Sequence, residues 1–161
     1  MWDMHSKDEE LRGIERFLHG KIPLARAMGV RAEGYEGGTL ALSAPLEKNH
    51  NHLGTAFGGS LAAMATLAGY GLLWLELGDA DAHVVISRSS MRYLRPVRGA
   101  LHAVCTRPEA GRMALFHKRF AAKGRAQIAV AVKIVYGGEV AVEFEGRFVA
   151  VRGRDEVAND E

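Results

Sequence analysis

The chain contains one cysteine, Cys105. A single thiol excludes an internal disulfide framework and any metal site built from several cysteines, and its expected place is a buried strand. The first eight residues, Met-Trp-Asp-Met-His-Ser-Lys-Asp, lack the apolar core of a secretory signal, so a cytoplasmic location is expected. No Gly-x-Ser-x-Gly occurs, which removes the nucleophile elbow of the serine hydrolases. Acids almost vanish between Arg88 and Arg125, where ten Lys or Arg stand against Glu109 alone, although the whole chain carries a formal charge of only +2. Such a run is either a solvated face or a surface for an anionic partner. It lacks an accompanying aromatic stacking set and any known binding motif, which argues against nucleic acid.

Charge of either sign is missing from Asn49 through Leu75. The stretch opens with Asn49-His50-Asn51-His52 and continues almost wholly apolar after Ser60. It is expected to be a polar loop feeding a helix that is apolar on every side, the pattern of a helix enclosed by other elements. Length alone would allow a membrane span. Gly54, Gly58, Gly59, Gly69 and Gly71, the Asn and His residues, and the absence of flanking Lys or Arg clusters favour a core helix instead. Gly58 and Gly59 permit close approach to the backbone where first-turn N–H groups lack intrahelical partners, which makes an anion cradle.

At 161 residues the chain is expected to form one domain spanning residues 1–161, with flexible ends at 1–6 and 153–161. Ser6 to Glu9 has capping-box spacing ahead of Leu11, Ile14, Phe17 and Leu18, and Pro23 suits the first turn of a second short helix closed by Gly29. Strands are expected at 30–36 and 39–44 around Gly37-Gly38, and a second antiparallel pair at 82–94 and 100–106. Met113, Phe116 and Phe120 favour a helix over 108–122. Alternation over 127–136 and 139–152 around Gly137-Gly138 predicts a last hairpin. The sum is an α+β domain in which an antiparallel sheet wraps a long central helix, with short N-terminal helices.

That order of elements carries Asn51-x-x-Gly54-Thr55-x-x-Gly58-Gly59 into the helix and Ser90-Met91-x-Tyr93-x-x-Pro96-Val97 on the next strand. Together they resemble the hot-dog fold of acyl-thioester enzymes. The run from Asn49 to Leu61, with Leu67-Ala68-Gly69 and Phe144-x-Gly146-x-Phe148-Val149-Ala150, is similar to the thioesterase domain sometimes fused behind an acetyltransferase. The likeness covers residues 11–151.

The resemblance implies an acyl thioester lying across the loop and helix start, its carbonyl taking a hydrogen bond from the backbone near Gly58 or Gly59. Asn51, Gly59 and Thr66 are then the catalytic candidates. His52, Phe57, Gly58, Ser60, Ser90, Arg92, Arg95 and Arg98 are the substrate-binding ones, with Arg112 or Lys118 extending a basic rim. The thioester carrier would be coenzyme A or an acyl carrier protein. No separate cofactor, no metal, no nucleic acid and no membrane insertion are expected, and the protein is expected to be a homodimer or a dimer of dimers. Many relatives of this fold place His before the Gly-Gly pair and an acid seven residues after it, where this chain has Phe57 and Thr66. A hydroxyl is no base near neutral pH. Hydrolysis therefore stands beside decarboxylation of a malonyl thioester, which needs an anion hole and no base, and beside thioester binding without catalysis. Asn51 orients water or the thioester oxygen, or else shapes a turn; Thr66 positions water, or satisfies the preceding helical turn.

Overall fold

The computed structural model describes the backbone of residues 4–153 and side chains from Lys7 onward. In chain order it forms α1 (Met4–Lys21), α2 (Pro23–Met28), β1 (Arg31–Glu36), β2 (Thr39–Ala44), a 3-10 turn (Leu46–Lys48), α3 (Gly58–Leu77), β3 (Ala82–Tyr93), β4 (Leu101–Thr106), α4 (Ala110–Lys123), β5 (Arg125–Tyr136) and β6 (Glu139–Arg152). The six strands make one sheet in the order β1-β2-β4-β5-β6-β3, every neighbouring pair antiparallel. The α+β fold class and its hot-dog arrangement are as expected.

Two Gly-Gly turns organise the sheet. Gly37 and Gly38 have φ of 57° and 76°, and Gly137 and Gly138 have φ of 60° and 76°, the left-handed pair that matches strand twist in a two-residue hairpin. The hairpin of β5 and β6 decides the fate of β3. Its long β6 offers an open edge, and β3 pairs along it from Ala82 opposite Arg152 to Tyr93 opposite Val142. The expected pairing of β3 with β4 is therefore wrong: β4 lies between β2 and β5. The link between them contains Pro96 and buries Val97, so it crosses the layer instead of making a tight turn.

Helix α3 is the core. The sheet wraps it, with β2, β3, β4, β5 and β6 all touching it and α1 covering a further side. Leu61, Met64, Ala65, Leu67, Ala68, Leu72 and Leu73 are buried around its circumference, as an all-round apolar helix requires. At 20 residues with mean hydropathy 1.3 it is long enough to cross a bilayer, but strands occupy the faces that lipid would need. On the α1 side, Phe17 stacks on Trp74 at 4.6 Å between ring centres and on Tyr70 at 5.9 Å.

Helix α1 is longer than the short helix expected. It is already formed at Met4, so Ser6 is not its N-cap and the acids Asp8 to Glu10 fall in its second turn. The expectation of flexible ends otherwise lies outside the described residues, apart from Met4 to Ser6, whose backbone is helical, and Gly153. Helix α4 is as expected, closed by Gly124 at φ 67°. Cys105 is buried on β4, and that burial pushes its thiol up to about 12.

Candidate functional site

The loop before α3 is held by its own polar side chains. Asn51 Oδ1 accepts from the backbone N–H groups of Leu53 at 2.9 Å and Thr55 at 3.2 Å, while its Nδ2 donates to Thr55 Oγ1 at 2.9 Å. This is the turn-shaping role of an Asx side chain, and it leaves one amide N–H for a ligand. The backbone closes the loop further, with Asn51 N–H to Thr55 O at 2.7 Å and an antiparallel bridge between His50 and Ala56. Ala56 N–H reaches Val97 O at 2.8 Å, which ties the loop to the β3–β4 link and brings exposed Arg98 into its neighbourhood. His52 is exposed, and the His50 ring nitrogen Nδ1 bonds the Asn51 carbonyl at 2.9 Å.

Asn49 anchors the same loop from below. It is 2% exposed, and its Nδ2 donates to the carbonyls of Met28 at 2.9 Å and Pro45 at 2.8 Å. Two carbonyl acceptors fix which end of the amide is nitrogen, so the oxygen faces away from them. That Oδ1 is buried without a partner. Asn49 lines a groove of about 380 Å³ between α2 and the start of α3, walled by Leu24, Met28, Phe57 and Ala63 and floored by Gly59 and Ser60. A buried acceptor left unsatisfied costs about 1–3 kcal/mol.

Helix α3 starts without a cap. Phe57 is its N-cap residue at φ −67°, ψ 135°, and no side chain bonds its first N–H groups. The Phe57 ring lies over Gly59, where a Cβ would stand 2.5 Å from the ring, so only glycine lets the ring close over the helix start. Ser60 sits half-buried in the same turn. Tyr93 of β3 reaches the opposite side, its hydroxyl donating to Gly58 O at 3.3 Å. The site therefore joins Asn49, Phe57, Gly58, Gly59, Ser60 and Tyr93. Asn49 and Tyr93 were not among the candidates. Both stand inside the motifs quoted above, but only the fold shows Asn49 buried and Tyr93 against Gly58.

Other candidates fall elsewhere. Thr66 Oγ1 donates to Ala62 O at 2.9 Å, the bond to the preceding turn. Along β3, Met91 and Tyr93 face the helix while Ser90 and Arg92 face the other side of the sheet, beside Lys133, Glu143 and Glu145. A single chain thus separates Ser90 and Arg92 from the start of α3. Arg92 pairs with Glu143 at 3.5 Å, Arg95 pairs with Glu139, and Arg112 donates to Ala129 O at 2.8 Å. The basic run is consequently not one uncompensated patch, because β6 sets acids opposite it. The one acid of α3, Glu76, is at the far end of the helix. It accepts from Tyr35 Oη at 2.6 Å and pairs with Arg107 at 3.3 Å. Burial, then that hydrogen bond, pushes the Tyr35 hydroxyl up to about 12.

A family model described as Putative thioesterase (yiiD_Cterm) matches residues 11–152. A crystal structure of a protein of unknown function from Chlorobaculum tepidum is 31% identical, covers 91% of this chain and 97% of that one, and superposes with a TM-score of 0.85. A Shewanella oneidensis structure named as a putative thioesterase is 29% identical, with 89% and 99% covered and a TM-score of 0.81. A Pseudomonas aeruginosa protein of unknown function, 23% identical with 88% and 95% covered, shares the fold at a TM-score of 0.76.

Proposed function

We propose that this chain, which belongs to the family described as Putative thioesterase (yiiD_Cterm), hydrolyses acyl-coenzyme A or acyl-carrier-protein thioesters at the start of α3. The observation that carries the reading is the uncapped helix start at Gly58 and Gly59, opening on an apolar groove with one unpartnered buried acceptor, Asn49 Oδ1. Backbone N–H groups fixed at a helix start stabilise the charge that develops on a thioester oxygen, about 3 kcal/mol per well-placed donor. Water adds to the carbonyl carbon, the C–S bond breaks, and the water's proton ends on the departing sulfur. The acyl group is assigned to the groove beneath Phe57, with the Asn51 amide N–H beside the carbonyl.

A second reading is decarboxylation of a malonyl thioester. It is favoured by Phe57 and Thr66 standing where a base pair would be, and by the distance of Glu76, some seventeen residues from Gly59 or roughly 25 Å along the helix. Carbon dioxide would leave, and the electron pair of the broken bond would rest on the thioester oxygen as an enolate until a proton is taken from solvent. A panel of acyl and malonyl thioesters separates these outcomes: thiol release supports hydrolysis, carbon dioxide release without thiol supports decarboxylation, and tight binding with neither leaves a binding module.

The working unit is read as a homodimer or a dimer of dimers in the cytoplasm, with the site shared between subunits. Strand β3 is one of the sheet's two outer strands, and it exposes Val85, Ile86 and Tyr93 by 41%, 38% and 54%, with Leu94 just beyond it at 42%. A long apolar edge is a template for pairing with another copy.

A further inference from the structure

A different part of the molecule gathers an excess of positive charge. Arg12 and Arg16 of α1, Arg26 of α2 and Arg31 at the start of β1 line one concave groove of about 620 Å³ together with Glu15 and His19. The spacing of Arg12, Arg16 and His19 sets them on one helix face. Gly29, at φ 72°, then turns the chain out of α2 so that Arg31 comes back beside Arg26. His19 Nε2 donates to Val30 O at 2.5 Å, which pins α1 to the segment entering β1.

The charges are unpaired. Among the described residues none of these four arginines lies in an ion pair, whereas Arg92, Arg95, Arg107 and Arg152 each face a carboxylate. The groove's one acid, Glu15, accepts from the backbone N–H of Ala32 at 3.4 Å. Like charges brought together are unfavourable, and the four arginines outnumber the single acid of the groove. Guanidinium forks match phosphate oxygens two at a time. The concavity and volume are those of a small-ligand site, which disfavours the convex acidic face of a protein partner.

We propose that this groove binds a small ligand bearing more than one phosphate group. Resting on the thioester reading above, the ligand is the phosphorylated nucleotide end of a coenzyme A thioester. Helix α2 lies between the two grooves: Arg26 lines this one, while Leu24, Ala27 and Met28 line the groove at the start of α3. Its thickness is about 10 Å, a gap that an extended pantetheine arm crosses.

Titration calorimetry with adenosine 3',5'-bisphosphate, which has no thioester, tests the site apart from any catalysis. Binding is expected to weaken as salt rises and to fall at least about 30-fold in the Arg16→Glu, Arg26→Glu double variant. The Lys123→Glu variant, altered on exposed α4 surface, is expected to bind like the unmodified protein. No binding, or equal binding by the double variant, overturns the site. Equal affinity for pyrophosphate and the bisphosphate supports a phosphate site but overturns its assignment to the nucleotide. With acyl-coenzyme A the double variant is expected to raise KM at unchanged kcat, and with acyl-pantetheine to change neither. A protein that binds the bisphosphate yet consumes no thioester would overturn the catalytic reading and leave the site standing.

Discussion

Replacing Gly69 by alanine sets two known effects against each other inside α3. Its ideal Cβ would stand 2.7 Å from Phe148 Cζ and 2.8 Å from Cε2. Carbon atoms settle at about 3.5–4.0 Å, so the ring must retreat by roughly 0.7 Å or more. It has little room, because Phe148 is 0% exposed and the backbone of Gly146 also lies close to its Cε2. Overpacking of this kind costs about 1–3 kcal/mol, while alanine in place of glycine within a helix gains about 1 kcal/mol. The expected net is a loss of about 0–2 kcal/mol. Gly13 of α1 has nothing within 4 Å of its Cβ position, so Gly13→Ala is expected to gain about 0.5–1 kcal/mol through the same propensity alone. Urea unfolding at one fixed protein concentration measures both, and their difference isolates the contact with Phe148. Phe148→Leu should relieve the clash, making the pair non-additive. The packing argument fails if Gly69→Ala stabilises as much as Gly13→Ala and adds simply to Phe148→Leu.

Asn51→Ala is expected to lower thioester turnover by roughly 100-fold, but Asn51→Asp, which keeps the acceptors for Leu53 and Thr55, separates loop shaping from the amide donor: full activity in the Asp variant would remove that donor from the chemistry. Thr66→Asp places a half-buried carboxylate two turns from Gly59, where burial raises its pKa; thiol release should increase relative to carbon dioxide release, and an unchanged ratio would mean that position 66 does not face the reacting carbonyl. Val85→Lys with Ile86→Lys is expected to yield monomers by light scattering, and an unchanged oligomer would place the interface elsewhere. The Tyr35 pKa is raised from 10.0 to about 12, so the folded state holds the neutral phenol; its contribution is complete below pH 10 and is lost as pH climbs from 10 toward 12. Melting curves across that range should show a shallower alkaline decline for Tyr35→Phe, and identical declines would refute the upward shift that burial and the Glu76 hydrogen bond impose.

What the sequence made legible was local. Gly37-Gly38 and Gly137-Gly138 announce their hairpins because left-handed φ at two successive residues is a chain-local demand. The charge-free run announces α3 because an all-round apolar helix has one stable place. The pairing of β3 with β6 was not legible, since it depends on which edge remains open after the later hairpin has formed. The same limit hid the arginine groove. Its members are scattered over Arg12 to Arg31 among acids such as Glu9, Glu10 and Glu15, and counting charge along the chain averages them away. The run from Arg88 to Arg125 looked stronger in sequence, yet β6 brings Glu139 and Glu143 across to it.

The family motifs divide in the same physical way. Gly69 and Phe148 come from two separate stretches of the resemblance, and the fold packs one directly on the other, with Gly146 making room for the ring. Those motifs record how α3 is clamped to β6, not a reaction. The remaining motif, from Asn49 to Ser60, is different because its polar groups are not all satisfied by the fold: Asn49 Oδ1 has no partner and the first N–H groups of α3 have no cap. Donors left uncapped beside a largely apolar groove are complementary to a ligand that carries a polarised carbonyl on an apolar chain, and the buried Asn49 acceptor beneath them is the fold's one buried polar side-chain atom without a partner among the described residues. An acyl thioester carries both. Glu76, by contrast, is engaged with Tyr35 and Arg107 at the far end of the helix, so the acid that α3 does possess secures the fold and offers no base to the reaction proposed at the helix start.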